Sequence, residues 1–367
     1  MRDFLKYVLA SCVALLLVTG ISLTLVIGLL TAIAVSGDDD ASEVESNSIL
    51  TLDLSIPITD TPPIVTPDKV IGDLVAGRSI TPPVSLRTTL DALEAAAADD
   101  RIVGLYIEGA GTSGFATLRE VRQGIEAFKA TGKPVIAYET AWNERSYYLV
   151  SVADKVMLNP SGRMEMNGFS SESMFFAGAL EKYGVGVSAI RAGQYKSAIE
   201  PFTRSDRSPE EKAQTQELLG QLWQEFIETA TASREFSPNK IQSIADSQGL
   251  LLPNEALSEG LVDQIVHEDE MLRQLQELTG EDMDETSFRS VNIATYADDV
   301  RVEQSSIGFS STPKIAVVYA EGNIVNGEGE VGQIGGDRFA QIFREIRLDE
   351  DISAVVLRVN SPGGSAS

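Results

Sequence analysis

One lysine stands out as a candidate general base in this sequence. Lys196 lies in the stretch from Arg191 to Phe202, between two apolar segments. The chain contains one histidine and one cysteine. A Ser-His-Asp or Cys-His pair would need His267, which is predicted to lie at the surface, or Cys12, which lies in an apolar N-terminal run. The remaining possibility is a serine that is activated by a lysine.

A lysine can act as a general base near neutral pH only where burial lowers its pKa from about 10.4. The residues around Lys196 are apolar enough to form such a dry pocket. They are Ala192, Tyr195, Ala198, Ile199 and Phe202. The same pattern is also compatible with a surface lysine at a junction between a loop and a helix.

A glycine turn follows the last strand pattern of the chain, as Ser361-Pro362-Gly363-Gly364. Proline followed by two glycines favours a tight turn whose backbone N–H groups can approach another molecule closely. That geometry suits an oxyanion hole. A plain turn at the end of a strand would have the same sequence.

Length and composition indicate the number of domains and argue against some functions. A chain of 367 residues that is 43% hydrophobic can form about two domains. Its 54 acidic against 29 basic residues argue against a nucleic-acid partner. With one cysteine and one histidine, the sequence predicts neither a disulfide framework nor a Cys/His metal site.

The N-terminus predicts a membrane anchor. Residues 7–35 carry no charge and are longer than the about 20 residues that span a bilayer. Arg2 and Lys6 precede this run and acidic residues follow it, so the positive-inside rule keeps the N-terminus in the cytoplasm and the rest on the outer, periplasmic or lumenal, side. A cleaved leader is the alternative, because Ala32-Ile33-Ala34 resembles a cleavage site.

Strand and helix patterns alternate after an acidic tether at residues 36–48. Strands alternating with helices of this length predict parallel sheets with helical crossovers. The predicted strands are Ile49 to Leu54, Ile102 to Ile107 and Pro134 to Tyr138, and the predicted helices are Leu86 to Ala98 and Leu118 to Ala130.

A long helix is predicted to begin at Ser208-Pro209, which has the pattern of a capping box with proline in the first turn. Its apolar stripe is typical of packing against a core. The stripe consists of Leu218, Leu219, Leu222, Trp223, Phe226 and Ile227.

The pattern starts again after a polar stretch at residues 281–313, which we interpret as an interdomain connection. A strand, a helix and a strand are predicted at Lys314 to Ala320, Arg338 to Ile346 and Ile352 to Val359. The segment from Ile102 to Ile107 aligns with residues 352–357 at an offset of 250. This repeat suggests two versions of one α/β unit.

Three separated motifs together resemble the long, two-domain form of the signal peptide peptidase A family, also called protease IV. They are residues 195–202 around Lys196, residues 146–156, and residues 357–364 with the glycine turn. The resemblance implies tandem Clp/crotonase-like α/β domains. The domains would then be 1–6 cytoplasmic N-terminus, 7–35 anchor, 36–48 tether, 49–280 first domain, 281–313 connection, and 314–367 start of a second domain.

The resemblance also implies roles for individual residues. Lys196 would be the general base, the N–H of Gly364 would form the oxyanion hole, and Gly363 would allow the close approach. The nucleophilic serine would come after the next helix and strand, beyond residue 367, rather than at Ser365. We therefore expect the chain to be an inactive fragment of a longer protein. Glu144 occupies the corresponding position of the first repeat, which predicts that the first domain has no dyad of its own.

The implied function is that of a membrane-anchored Ser-Lys endopeptidase that degrades cleaved signal peptides and other membrane proteins, as a homotetramer, without a metal or organic cofactor. Two alternatives stay open at this point. One is a non-catalytic membrane scaffold on a degenerate protease fold. The other is a crotonase-like acyl-CoA enzyme, which an outward-facing domain disfavours because CoA is cytoplasmic.

Overall fold

A computed structural model describes residues 44–62, 82–111, 113–237, 239–281, 286–306 and 313–366, together with residues 6, 7, 15, 17, 18 and 20. The chain divides into two compact units, Met1–Glu45 and Ser46–Ser367. Most of the predicted anchor and of the acidic tether lies outside the described residues. Among the residues that are described, no helix has the length and apolar character needed to cross a bilayer.

Strands and helices alternate through the second unit. The strands are β1 (Ser48–Asp53), β2 (Ile58–Thr59), β3 (Val84–Ser85), β4 (Ile102–Glu108), β5 (Val135–Trp142), β6 (Lys155–Glu165), β7 (Leu250–Leu251), β8 (Gln264–Ile265), β9 (Ser290–Asn292), β10 (Lys314–Glu321), β11 (Asn323–Val325), β12 (Gln333–Gly335) and β13 (Ile352–Asn360). The helices are α1 (Leu86–Ala98), α2 (Phe115–Lys129), α3 (Glu144–Val150), α4 (Ala177–Lys182), α5 (Glu200–Thr203), α6 (Pro209–Arg234), α7 (Lys240–Ser247), α8 (Pro253–Ser258), α9 (Glu268–Thr279), α10 (Ile293–Ser306) and α11 (Gly336–Leu348).

The largest sheet has the order β7-β6-β5-β4-β1-β9, with β8 also paired to β6. All of its pairs are parallel except β6 with β7. Helix α1 leads into β4 and α2 joins β4 to β5, so the predicted parallel sheet with helical crossovers is confirmed. Helix α1 has the predicted bounds, whereas α2 begins three residues before the predicted Leu118.

The core lies between this sheet and its helices. Its largest fully buried side chains include Trp142, Tyr147, Tyr148 and Phe128. Burying side chains of this kind stabilises a fold by about 1.5–3 kcal/mol each. The indole N–H of Trp142 donates to the carbonyl of Met157 at 2.9 Å, so the buried polar group is satisfied.

The segment predicted as an interdomain connection contributes to the first sheet. Strand β9 pairs with β1, and α10 follows β9 directly. The hydroxyl of Tyr296 in α10 donates to Asp99 at 2.9 Å, next to the ion pair of Asp99 with Arg101. The weak periodicity of this stretch concealed its structure because one strand of three residues leaves almost no pattern. The domain boundaries stay a prediction.

The internal repeat is present in the structure. Elements β1, β2, β3, α1 and β4 recur in the same order as β10, β11, β12, α11 and β13. Both long strand pairs are parallel, and both contain a register irregularity at the same place, between Ser48 and Ile49 and between Lys314 and Ile315. A shared irregularity of this kind is strong support for a duplicated unit, since it is a local feature that packing alone does not require.

The two copies differ in how far they are covered. Ile107 in β4 is completely buried, whereas Leu357 at the corresponding position of β13 is 48% exposed. Strand β4 lies between β1 and β5, while β13 pairs among the described residues with β10 alone. The second copy therefore presents an open strand edge and open apolar faces.

Helix α6 begins as predicted, because the Ser208 hydroxyl accepts a hydrogen bond from the N–H of Glu211 at 3.2 Å. Its apolar stripe is only partly buried. Phe226 and Ile227 are buried, but Leu218 is exposed and Trp223 is half-buried. The stripe therefore packs against the core at Phe226 and Ile227, whereas Leu219 and Trp223 border a cleft.

Candidate active site

Lys196 lies on an arm, residues 176–202, that leaves the core between β6 and α6. The two ends of the arm meet where the N–H of Phe176 donates to the carbonyl of Pro201 at 2.6 Å. The rings of Phe176 and Phe202 stack there with centroids 5.8 Å apart. Helix α4 within the arm contains no buried residue. The two ends of the arm are thus joined to each other, whereas the helix between them is not buried.

The side chain of Lys196 is exposed, just before a single 3-10 turn at Ser197–Ile199. Of the residues expected to form a dry pocket around it, Ile199 alone is half-buried, and Ala192, Tyr195, Ala198 and Phe202 are exposed. The dry pocket is therefore not formed among the described residues, and Lys196 is a surface lysine at a junction between a loop and a helix, which is the alternative that the sequence left open. The physical reason is that the arm projects from the sheet, so its apolar residues find no second layer among the described residues.

A buried carboxylate holds the base of the Lys196 loop. Glu200 accepts a hydrogen bond from the N–H of Ser208 at 2.9 Å and pairs with Nη1 of Arg191 at 3.2 Å. The same Nη1 donates to the carbonyl of Lys196 at 3.4 Å. Hydrogen bonds from Ser208 and then from Arg191 lower the pKa of Glu200. Sequence analysis missed this residue, although its position four residues after Lys196 in a helical turn was a usable signal.

The glycine turn is bound to strand β11 through its backbone. The N–H of Ile324 donates to the carbonyl of Gly363 at 3.0 Å, and the N–H of Ser365 donates to the carbonyl of Ile324 at 2.9 Å. Gly364 lies between these two bonds and forms a parallel bridge with Ile324. In that pattern the N–H of Gly364 points away from Ile324. Gly364 is exposed, and none of the described residues accepts a hydrogen bond from its N–H.

Only glycine fits at position 364. A Cβ atom there would overlap the carbonyl oxygen of Ile324, and Gly363 has a φ of +101°, in the left-handed region. The turn can therefore approach β11 closely and leave one N–H directed outward. An N–H that is fixed in this way can stabilise an anionic oxygen.

The two copies differ in the group that accepts the hydrogen bond at this turn. It is a side-chain hydroxyl in the first copy and a backbone carbonyl in the second. The N–H of Ile58, which corresponds to Ile324, donates to the hydroxyl of Ser113 at 3.2 Å. Ser113 corresponds to Gly363. Because a hydroxyl replaces the backbone carbonyl, the first copy does not form the same backbone bridge at this turn.

The Glu144 side chain is buried and hydrogen-bonded to the backbone. It is buried at the start of α3, and its Oε1 accepts hydrogen bonds from the N–H groups of Asn167 at 2.6 Å and Gly168 at 3.0 Å. Two residues later, the hydroxyl of Ser146 accepts a hydrogen bond from the N–H of Gly111 at 2.8 Å. These polar groups hold the end of β6 and the turn after β4 against α3, and the Oε1 of Glu144 is occupied by backbone N–H groups.

The structure does not bring Lys196 and the glycine turn together. No hydrogen bond or ion pair joins the arm to residues 361–364 within the described part of the chain. His267 is exposed at the start of α9, as predicted. In the same described residues, no group of His, Cys, Asp and Glu side chains is arranged to hold a metal ion.

Comparison with known proteins agrees with this architecture. The parallel α/β unit, repeated and ending in a glycine turn, fits the Clp/crotonase-like class of fold. Residues 127–281 match the model of peptidase family S49. The chain is 31% identical over 342 residues to Protease 4 of Salmonella typhi and 35% identical over 303 residues to Protease 4 of Haemophilus influenzae. It is 25% identical over 277 residues to the chloroplastic serine protease SPPA of Arabidopsis thaliana.

The match to peptidase family S49 and the similarity to Protease 4 and SPPA support an SppA-type peptidase. These matches cover 90%, 79% and 74% of this chain, but 54%, 48% and 40% of the three relatives. The chain thus spans about half the length of the known relatives that it matches. Two of the three motifs that carry the resemblance, around Lys196 and in the segment after β5, lie inside the family match, whereas the glycine turn lies outside it.

Proposed function

We propose that this chain is the N-terminal part of a membrane-anchored serine endopeptidase with a Ser-Lys dyad. The observation that carries the proposal is the glycine turn. Its backbone bridge to Ile324 directs the N–H of Gly364 outward, without an acceptor among the described residues. The peptidase relatives support the same reaction class.

In the proposed mechanism, the serine lies beyond residue 367. Its oxygen attacks the scissile carbonyl carbon while neutral Lys196 takes the hydroxyl proton. The N–H of Gly364 stabilises the oxyanion that forms. The protonated lysine then gives its proton to the leaving amine, and a water molecule, deprotonated by the same lysine, hydrolyses the acyl-enzyme. The 367-residue chain by itself is expected to be inactive.

Lys196 needs a dry environment to be neutral, and the described residues leave it exposed. The exposed apolar side chains of the arm support burial by assembly. They include Tyr183, Val185, Ile190 and Tyr195. An apolar surface of this kind is typical of a protein interface. We propose that the arm is covered in a homotetramer, in which the lysine becomes buried.

We further propose that residues 7–35 anchor the enzyme, with the N-terminus in the cytoplasm and the catalytic part on the outer side. The support is the uncharged run itself and the position of Arg2 and Lys6 before it. The proposed substrates are cleaved signal peptides and other membrane proteins, which such an anchor would bring close to the active site.

The test uses the full-length protein, including the segment that carries the serine, and a fluorogenic peptide. Lys196→Ala should lower kcat by about 10²–10⁴-fold, because the general base is lost. Lys182→Ala, which removes an exposed lysine from the same arm, should keep full activity and serves as the matched control. Full activity in Lys196→Ala would reject the dyad, and the absence of hydrolysis in the unmodified protein would favour the scaffold alternative.

A further inference from the structure

A cleft of about 590 Å³ lies beside the first half of α6. One wall is the segment after β6, from Asn167 to Phe169, and the other is a single face of the helix. The helix residues in the cleft are spaced three or four apart, as expected for one face. They include Lys212, Gln216, Leu219, Gly220 and Trp223.

Gly220 leaves space in this cleft at a cost to the helix. Glycine is the least favourable residue in a helix interior after proline. A Cβ atom at position 220 would meet no atom within 4 Å, so nothing in the described part of the chain requires a glycine there. The space in front of Gly220 is thus open to a ligand.

The apolar wall of the cleft is held in place by aromatic packing. The rings of Phe169 and Trp223 meet edge to face with centroids 5.4 Å apart, and Trp223 stacks on the buried Phe226 at 5.1 Å. The indole N–H of Trp223 donates to Gln242 at 2.7 Å. Because these contacts fix the rings, they lose little conformational entropy when an apolar group binds there.

Two cationic side chains and no carboxylate line the cleft, although the chain has a net charge of −25. They are Arg207 and Lys212. Arg207 supports the wall, because it is occupied with Ser171, Ser173 and the carboxylate of Glu211 at 3.4 Å. Lys212 lies at the rim, 59% exposed, and its carboxylate partner Asp206 is 3.5 Å away. An apolar wall beside a cation is complementary to an apolar group that carries a carboxylate.

We propose that this cleft binds the C-terminal residue of a peptide. An apolar side chain lies against Trp223 in the space in front of Gly220, and the terminal carboxylate faces Lys212. Binding of a peptide in this cleft does not depend on the proposed hydrolysis. The site would hold peptide products, or substrates by their free ends, on the first α/β unit.

The test measures peptide binding to the full chain. Every protein sample carries Lys196→Ala, so that hydrolysis does not interfere. The probes are an N-acetylated Ala-Ala-Leu with a free carboxylate, its C-terminal amide, and the free acid that ends in Ser. The fluorescence of Trp223 is the readout, since the other tryptophan, Trp142, is fully buried. The free acid ending in Leu should cause a saturable change that is absent in Trp223→Phe, and the Ser peptide should bind more weakly.

The amide should bind about fivefold more weakly than the acid, as expected for a partly exposed ion pair. Lys212→Gln should remove this difference. Gly220→Leu should abolish binding, while Gly220→Ala should raise Tm and show that the helix tolerates a side chain there.

No saturable change with the Leu peptide, equal binding of acid and amide, or normal binding to Gly220→Leu would each overturn the proposal. A change of oligomeric state in Gly220→Leu would also overturn it, because the cleft would then be an interface with a second copy. Any of these results leaves the Lys196 test of hydrolysis unaffected.

Discussion

Arg191 and Glu200 form an ion pair of 3.2 Å across the loop that carries Lys196. Arg191 also donates to the backbone carbonyl of Lys196, and Glu200 is anchored by the N–H of Ser208 at the start of α6. The position of the candidate base is thus tied to the start of α6. This link gives the exposed loop a defined backbone conformation without burying the lysine itself.

The pH dependence of stability should report on Glu200. Its pKa is lowered in the folded protein by hydrogen bonds from Ser208 and Arg191, so its contribution is present above the unfolded value, about 4.3, and is lost as pH falls through the folded pKa. The Tm difference between wild type and Glu200→Gln should therefore shrink as pH falls from 7 to 3. Glu181→Gln, which changes an exposed carboxylate of the arm, should show a small difference at every pH. A Glu200 difference that is constant with pH would contradict this role.

The glycine turn should tolerate no side chain at position 364. In full-length enzyme, Gly364→Ala should lower kcat by about 10²–10³-fold, because the Cβ atom would overlap the carbonyl of Ile324 and displace the N–H that is proposed to stabilise the oxyanion. Gly327→Ala is the matched control, since Gly327 also has a positive φ but no neighbour near its Cβ position. It should cost about 1 kcal/mol of stability and keep activity. Peptide hydrolysis and thermal unfolding of both variants give the comparison.

Arg358 should connect the second α/β copy to the first. It pairs with Asp60 and with Glu120, both at 2.7 Å, and Asp60 is only 7% exposed. Arg358→Gln leaves that carboxylate without its cation and should lower the free energy of unfolding by about 1–3 kcal/mol. Hydrogen exchange in residues 313–366 should become faster. Lys314→Gln, which breaks an exposed pair with Asp351, should change neither quantity by much; equal effects of the two variants would show that the Arg358 contacts do not connect the copies.

Glu144 should be a structural residue. Glu144→Ala leaves the partly buried N–H groups of Asn167 and Gly168 without this acceptor and should lower the free energy of unfolding by about 1–3 kcal/mol, as measured by urea denaturation. Glu165→Ala, which removes a more exposed carboxylate paired with Arg163, should change it by less than about 1 kcal/mol. Glu144→Ser should create no activity in the first copy. A gain of hydrolysis in that variant would mean that the first copy holds a usable dyad.

Much of the fold was predictable from local sequence. The bounds of α1, the cap at Ser208 and the long strands of both copies were close to those observed, because hydrophobic periodicity and capping act over a few residues. The short strands β2, β3, β11 and β12 were not predicted. The repeat at an offset of 250 was also visible, since equivalent buried strands have similar composition. Strand β9 was missed, because a strand of three residues gains its stability from the neighbouring β1 rather than from its own pattern.

The sequence proposed candidate residues for the site, but it did not predict their environment. The scarcity of histidine and cysteine and the pattern around Lys196 singled out the lysine and the glycine turn. Whether a side chain is buried depends on what else packs over it, and the described residues do not form a pocket over the exposed arm. The clamp by Arg191 and Glu200 and the cleft beside Gly220 were likewise not foreseen.

The sequence by itself determined the alternation of strands and helices, the duplicated unit and the residues with catalytic potential, because these depend on neighbours within a few positions. Only the tertiary structure decided the shared register irregularity of the two copies, the outward direction of the Gly364 N–H, and the contact of Arg358 with Asp60 across 298 residues. Contacts between residues so far apart arise from the packing of the whole chain, and no local pattern encodes them.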